Sequence, residues 1–242
     1  MFFDDSARAL IAETSGIASF APAGRGEPDR LIGSSENSRL AFRAQHINES
    51  RLKRLIDIAG SVALLIAFAP VMLMIAIAIR METPGPVFFR QKRYGVGRDV
   101  FTLMKFRSMT VMESQGAFRQ VSAGDKRITR VGAFLRRSSL DELPQLINVL
   151  KGEMSLVGPR PHAPAMDDAF GGTIRNYLDR HLVRPGLTGL AQIEGHRGPT
   201  DALDKIEKRL RCDRAYIRRW SPFYDIKILL LTPLRLLSPN AF

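Results

Sequence analysis

The chain has 242 residues, enough for one sizeable core or two small ones, and 45% hydrophobic with 25% charged residues argues against a wholly disordered protein. The net charge of +12 is uneven: residues 1–50 hold five arginines against seven acids, so the rest carries +14 and suits phosphates, acidic lipids or nucleic acid. The single cysteine, Cys212, excludes an intrachain disulfide, and the four histidines are scattered with no spacing that resembles a zinc site.

Residues 1–48 show no sustained period and are rich in Gly, Ser, Pro and charge. They read as a disordered N-terminal extension on the cytoplasmic side. No basic region followed by an apolar run opens the chain, so no secretory signal is expected. Residues 49–81 are different. From Ile58 to Ile79 there are 22 residues without a charge, and about 20 suffice to span a bilayer as a helix. One transmembrane helix is the simplest reading, but the flanks favour another. Arg51, Lys53 and Arg54 precede the segment and Arg80, Arg90, Lys92 and Arg93 follow it, so both ends prefer the cytoplasmic face. Pro70 near the middle removes a helix hydrogen bond. A re-entrant helix-break-helix, broken at Ala69-Pro70 and returning to the side it entered, satisfies both facts. Asp57 is expected at the interface, near Lys53 or Arg54.

Residues 82–242 read as a cytoplasmic domain. Thr83-Pro84-Gly85-Pro86 is a turn. Val87–Arg90 and Val100–Phe106 read as short strands joined through Tyr94–Gly97 in a hairpin. Residues 111–127 are polar and expected to form a mobile loop. Ile128, Val131, Phe134 and Leu135 recur at helical spacing, as do Leu203, Ile206, Leu210 and Ile217. Ile226–Leu231 is too short to span and is expected to stop before Pro233. Trp220, Phe223 and Tyr224 suit either the headgroup layer or the core. The fold class is α/β, mostly helical with a small sheet or hairpin, with the C-terminal helices at the membrane interface.

The segment RRSSLDELPQLINVLKGEMSLVGPRP, from Arg136 to Pro161, carries the chemistry. Ser139 and Glu142 fit a capping box, which is the structural explanation of the acids. Pro144 fits better with Asp141 as the cap, since its missing donor then falls in the first turn. Either register puts Asp141 at a positive helix end. That end, with Arg136 and Arg137, is expected to lower the Asp141 pKa and keep it ionised, a candidate nucleophile toward phosphorus. Arg160, between two prolines of which either peptide bond could be cis, offers a fork that matches phosphate oxygens. A rigid turn with a solvated arginine is the alternative.

The strings KRLIDIAGSVALLIAFAP, GPVFFRQKRYG, FTLMKFRSM, ITRVGAFLRRSSLDELPQLINVLKGEMSLVGPRP and RPGLTGLAQIEGHRG resemble the bacterial sugar transferase family. These are monotopic phosphoglycosyl transferases, and the likeness covers about residues 51–242. The C-terminal part is most similar to the undecaprenyl-phosphate glucose phosphotransferase branch. The resemblance implies transfer of a hexose 1-phosphate from a UDP-sugar, UDP-glucose or UDP-galactose first, to undecaprenyl phosphate, with release of UMP and use of Mg²⁺. It implies Asp141 as nucleophile and metal contact, and Glu142 as its partner in orientation or proton handling, which makes residues 82–242 the catalytic domain. Lys105, Arg107, Arg136, Arg137 and Arg160 would bind substrate. Inner-membrane lipids are implied partners, with a candidate homodimer and no nucleic acid. Two departures stand out. The family's Ser-Pro at the membrane break is Ala69-Pro70 here, and Leu190 and His196 occupy positions where the glucose branch often has Trp. Charge alone would also fit a membrane-anchored basic protein that binds nucleic acid or anionic lipid without catalysis.

Overall fold

The structure, a computed structural model, describes residues 30–110, 125–196 and 203–236, with side chains described for 36–110, 125–196 and 203–235. The expected loop at 111–127 therefore lies mostly outside the described residues. The chain opens with α1 (Arg30–Glu49), which contradicts the disordered extension over its last part. Leu40, Ala44 and Ile47 fall on one narrow face of α1 and are buried in the main core. Phe42 lies off this face and is exposed, so the apolar residues of α1 do not gather on one side and no amphipathic period stands out.

Ser50 then starts α2 (Arg51–Glu82) by accepting a hydrogen bond from the Lys53 amide. A broken helix was expected, but α2 is one helical element that runs through Pro70. Proline fixes a φ that a helix tolerates and deletes one backbone donor, which weakens a helix without having to end it. By length and composition α2 could cross a membrane. Yet both of its ends are fastened to the same body. At the start, Lys53 Nζ pairs with Asp225 at 2.7 Å, and Arg54 donates to the carbonyls of Val149 and Leu150 at 2.6 Å each. Asp57 lies within electrostatic reach of Lys53 as expected, but buried rather than at the interface: it accepts from Ser155 Oγ and the Leu156 amide, both at 2.9 Å. At the finish, Ile75 and Ile79 join a core cluster with Phe106 and Leu135. Between these anchors Val62, Ile66, Leu73, Met74 and Ile77 face outward, exposed.

An antiparallel hairpin follows, β1 (Phe88–Tyr94) and β2 (Val100–Phe106), in a register that pairs Phe88 with Phe106 and Tyr94 with Val100. Next come α3 (Arg130–Ser138), a 3-10 turn at Leu140–Glu142, α4 (Gln145–Lys151) and β3 (Ser155–Val157). The chain continues through α5 (Pro164–Gly171), a 3-10 segment at Tyr177–Leu182, β4 (Gly186–Thr188) and α6 (Leu190–Ile193). β3 pairs in parallel with β4. α7 (Leu203–Arg219) buries Ile206, Leu210 and Ile217 as its spacing predicts, while Leu203 is exposed. α8 (Pro222–Leu236) runs through Pro233 rather than stopping before it. Trp220 is core, whereas Phe223, Leu230 and Leu234 are exposed on α8. These side chains and the outward face of α2 form apolar surface of the kind that meets lipid.

Candidate active site

The acid pair sits where a helix is made to end. Thr129 caps α3 by accepting from the Gly132 amide, and the Glu82 carboxylate accepts from the Arg130 and Val131 amides at the same end. α3 stops at Ser139, which adopts a left-handed φ of 60°, and the chain enters the turn that holds Asp141 and Glu142. Leu140 and Leu143, on either side, pack against the cluster of Ile75, Ile79, Phe106 and Leu135. Both acids are thereby drawn inward, each 7% exposed. The expected capping box is absent: neither Ser139 nor Pro144, the residues that flank the two short helices, makes a side-chain cap, and α4 begins only at Gln145.

The two carboxylates differ sharply in their surroundings. Glu142 takes Lys105 Nζ at 3.0 Å and a two-pronged contact from the Arg160 guanidinium, whose first prong reaches the other oxygen at 3.0 Å. Such bidentate, charge-assisted bonds fix both partners. Among the described residues, no hydrogen bond or ion pair falls on the Asp141 carboxylate. Lys105, Arg136 and Arg160 act on it only through their fields. Burial and then the Glu142 charge push the Asp141 carboxyl up to about 6, opposite to the lowered value expected from a helix end. Desolvation of a buried carboxylate outweighs a short turn's dipole and three partly solvated cations. At neutral pH the group is still about ten to one ionised.

Lys105 is placed by β2. Asn148 of α4 donates to the Thr102 carbonyl at 2.7 Å and accepts from the Met104 amide at 3.0 Å, so helix and strand are locked side by side. Arg160 is placed by a rigid backbone. Gly158 and Pro159 bond to Thr188 and Gly186 across 2.9 and 2.8 Å. A Cβ on Gly186 would lie 2.1 Å from the Gly158 nitrogen, so only glycine permits this approach. All described peptide bonds are trans, those of the Gly-Pro-Arg-Pro run included. Behind it, Arg180 donates to the Arg160 carbonyl at 2.6 Å and to Tyr177 at 3.1 Å. Tyr177 in turn donates to Asp167 and meets His162 Nδ1, both at 2.8 Å. Burial and the neighbouring Arg180 hold His162 well below its usual range, so it is neutral. Burial and Arg160 lower Arg93 to about 10.

The candidates named in the sequence therefore separate. Asp141, Glu142, Lys105 and Arg160 converge, and Arg136 is half-buried within electrostatic reach. Arg137 is exposed on α3 with no described ion pair to the acids. Arg107 does not belong to the group. It is buried and donates to the carbonyls of Thr83 at 2.8 Å and of Pro84, closing the end of α2. Sequence reasoning missed Arg93, Arg180 and the His162–Tyr177–Asp167 chain. Their signal was present, since Arg93 and Arg180 lie in the basic runs QKRYG and RHLVRPG. As for a metal, Mg²⁺ takes oxygen ligands, commonly one or two carboxylates beside substrate phosphates. The open Asp141 carboxylate fits that donor set, whereas the oxygens of Glu142 are already held by two cations.

A family model described as bacterial sugar transferase matches residues 48–239. The UDP-glucose:undecaprenyl-phosphate glucose-1-phosphate transferase of Escherichia coli (strain K12) is 52% identical over 181 residues, 75% of this chain and 39% of that protein. The chain thus spans about two fifths of that relative's length. A protein of the same name from Caulobacter vibrioides is 48% identical over 191 residues, 78% of this chain and 72% of the relative. The exopolysaccharide production protein PSS of Rhizobium leguminosarum bv. phaseoli is 44% identical over 182 residues, 74% of this chain and 91% of the relative.

Proposed function

Because the chain belongs to the bacterial sugar transferase family, we propose that it transfers a hexose 1-phosphate from a UDP-sugar to undecaprenyl phosphate, with UDP-glucose or UDP-galactose as donor. The products are undecaprenyl-diphosphate-sugar and UMP, and the step begins the synthesis of an exopolysaccharide or another surface glycan. The names of the relatives support the substrates and the role. One observation supports the chemistry. Of two buried adjacent carboxylates, Glu142 is clamped by Lys105 and Arg160 while the oxygens of Asp141 are left open.

In this reading an Asp141 oxygen attacks the phosphorus that bears the sugar. The bond from that phosphorus to the bridging oxygen breaks, and UMP leaves with the oxygen. A phosphate oxygen of undecaprenyl phosphate then attacks the same phosphorus, the bond to Asp141 breaks, and the free carboxylate returns. Glu142 orients Lys105 and Arg160, whose charges meet the phosphoryl oxygens where negative charge develops. Arg136 adds to that field. Mg²⁺, held by Asp141 together with the diphosphate, would offset charge on the leaving group when bound.

In this reading the catalytic body lies on the cytoplasmic face of the inner membrane, and α2 bends at Pro70, where a backbone donor is missing, so that it dips into the bilayer and returns to the same side. Support comes from the two ends of α2, one held by Asp225, Val149 and Leu150 and the other by Phe106, Leu135 and Arg107. Labelling of Gln45→Cys and Gly95→Cys in a Cys212→Ser background should report one side, and opposite sides would remove this topology. The activity test uses the full chain in detergent with Mg²⁺, undecaprenyl phosphate and a panel of UDP-sugars. UMP should form from at least one, and Asp141→Asn should give neither UMP nor a sugar-phosphate adduct. Silence across the panel with steep salt-dependent DNA binding would favour the binding-protein reading instead.

A further inference from the structure

Away from the acid pair, three side chains of different chemistry meet. Glu194, His196 and Cys212 each bring a ligand atom to within 4.8 Å of the others. The linear spacing hides this, because fifteen residues separate His196 from Cys212. The fold supplies the contact by a tight reversal after α6. Gly195 takes a φ of 85°, closed by bonds from its amide to Gln192 at 3.2 Å and from the His196 amide to Ala191 at 2.9 Å. That turn directs Glu194 and His196 toward α7, where the buried Cys212 donates its thiol proton to Glu194 Oε2 at 3.2 Å. Glu194 is exposed and His196 half-buried, so the group opens to solvent on one side.

We propose that Glu194, His196 and Cys212 form a binding site for a thiophilic divalent cation of the Zn²⁺ type, separate from the acid pair, that clamps the α6 turn onto α7. A thiolate, an imidazole and a carboxylate suit Zn²⁺, and this set disfavours Mg²⁺, which prefers oxygen. Two ligands on one tetrahedral Zn²⁺ stand about 3.4–3.6 Å apart, from bonds of roughly 2.0–2.3 Å. The sulfur and the carboxylate oxygen, at 3.2 Å, need to part by only a few tenths of an ångström, and the limit of 4.8 Å leaves about one ångström of closure for the other pairs. A water fills the fourth position from the open side. On binding, the sulfur–hydrogen bond breaks, the proton leaves to solvent and a metal–sulfur bond forms. The clamp has a structural target. Gly186 and Gly189, which lead into α6, are packed on the Gly158 backbone beneath the Arg160 loop.

The test is a zinc titration of the purified full chain, first stripped with a chelator and then held in competition with a chromophoric one. We expect one Zn²⁺ per chain. Cys212→Ser and His196→Ala should each weaken binding by roughly 100-fold. X-ray absorption of the loaded protein should show one sulfur among the ligands, and the thiolate-to-metal band of the Co²⁺ form should vanish in Cys212→Ser. Because Cys212 is buried, His196→Ala with wild-type circular dichroism serves as the folded control. A shell without sulfur, no stoichiometric zinc, or affinity unchanged in His196→Ala would overturn the proposal.

Discussion

Replacing Asp141 with asparagine should raise the stability of the protein while it abolishes turnover. Burial and Glu142 lift the Asp141 carboxyl from 3.8 to about 6. At about 1.4 kcal/mol per unit, keeping that side chain ionised in the folded state destabilises it by up to about 3 kcal/mol. The sign follows from proton uptake. Between the two values the folded chain holds the proton and the unfolded chain has lost it, so stability falls as pH rises through that window. Below about pH 4 both states are protonated and the penalty is absent; above about pH 6 it is complete. Asparagine keeps the shape and removes the charge. The variant should therefore match the wild type near pH 4 and exceed it by up to about 3 kcal/mol near pH 8. For a chain of this size that is a rise of about 6–12 °C in the unfolding midpoint. Paired thermal melts in one detergent across that pH range, at one scan rate, supply the assay. A variant that melts below the wild type near pH 8, or a gap that does not change with pH, would refute the argument.

Four other substitutions separate the roles assigned above. Glu142→Gln removes the neighbouring charge, so the acid limb of the pH–rate profile, set near 6 by Asp141, should move to lower pH, and UMP formation should slow by about 10–100-fold as Lys105 and Arg160 lose their clamp. Arg160→Lys loses the fork and should lower kcat/KM for the nucleotide sugar by about 10–100-fold with little change in melting; normal kinetics with a large thermal loss would make the arginine a structural strut. Arg107→Ala strands the carbonyls of Thr83 and Pro84, and its thermal loss should correspond to about 1–3 kcal/mol with KM for the nucleotide sugar unchanged. Asp225→Asn removes the ion-pair partner of the buried Lys53 and should destabilise by about 3–5 kcal/mol; the double change Lys53→Met, Asp225→Leu should recover only part of that in thermal melts, because Trp220 Nε1 and the Tyr216 hydroxyl also lose their acceptor.

Much of this fold was legible because its signals are local. The start of β2 alternates exposed and buried residues, α7 repeats its apolar face, and the uncharged run of α2 stands out in any window. α1 was not legible, since its buried Leu40, Ala44 and Ile47 are mixed with apolar residues off that face, Phe42 among them, and leave no clear period to read. The site divides in the same way. The acid pair and Arg160 lie in one short segment, so their type and spacing pointed to phosphoryl chemistry. Lys105 and Arg107 look equivalent two residues apart, but β2 ends at Phe106 and the chain turns, which sends Arg107 to the end of α2. The direction of the Asp141 pKa shift was misjudged because helix-end electrostatics can be read from neighbours in sequence, whereas desolvation depends on what the whole chain packs around the group. Glu194, His196 and Cys212 lay beyond reach for the same reason.

The pairing of Lys53 with Asp225 has a consequence for biogenesis. The greasy segment leaves the ribosome 172 residues ahead of the aspartate that neutralises its leading lysine. While that gap is being translated, the lysine lacks its ion-pair partner and has only the neutral Val157 carbonyl and Tyr216 hydroxyl to reach once they emerge, which favours keeping this end of α2 near water. Final seating of α2 thus waits for α8, and a nascent chain truncated before residue 225 should stay loosely held at the membrane surface.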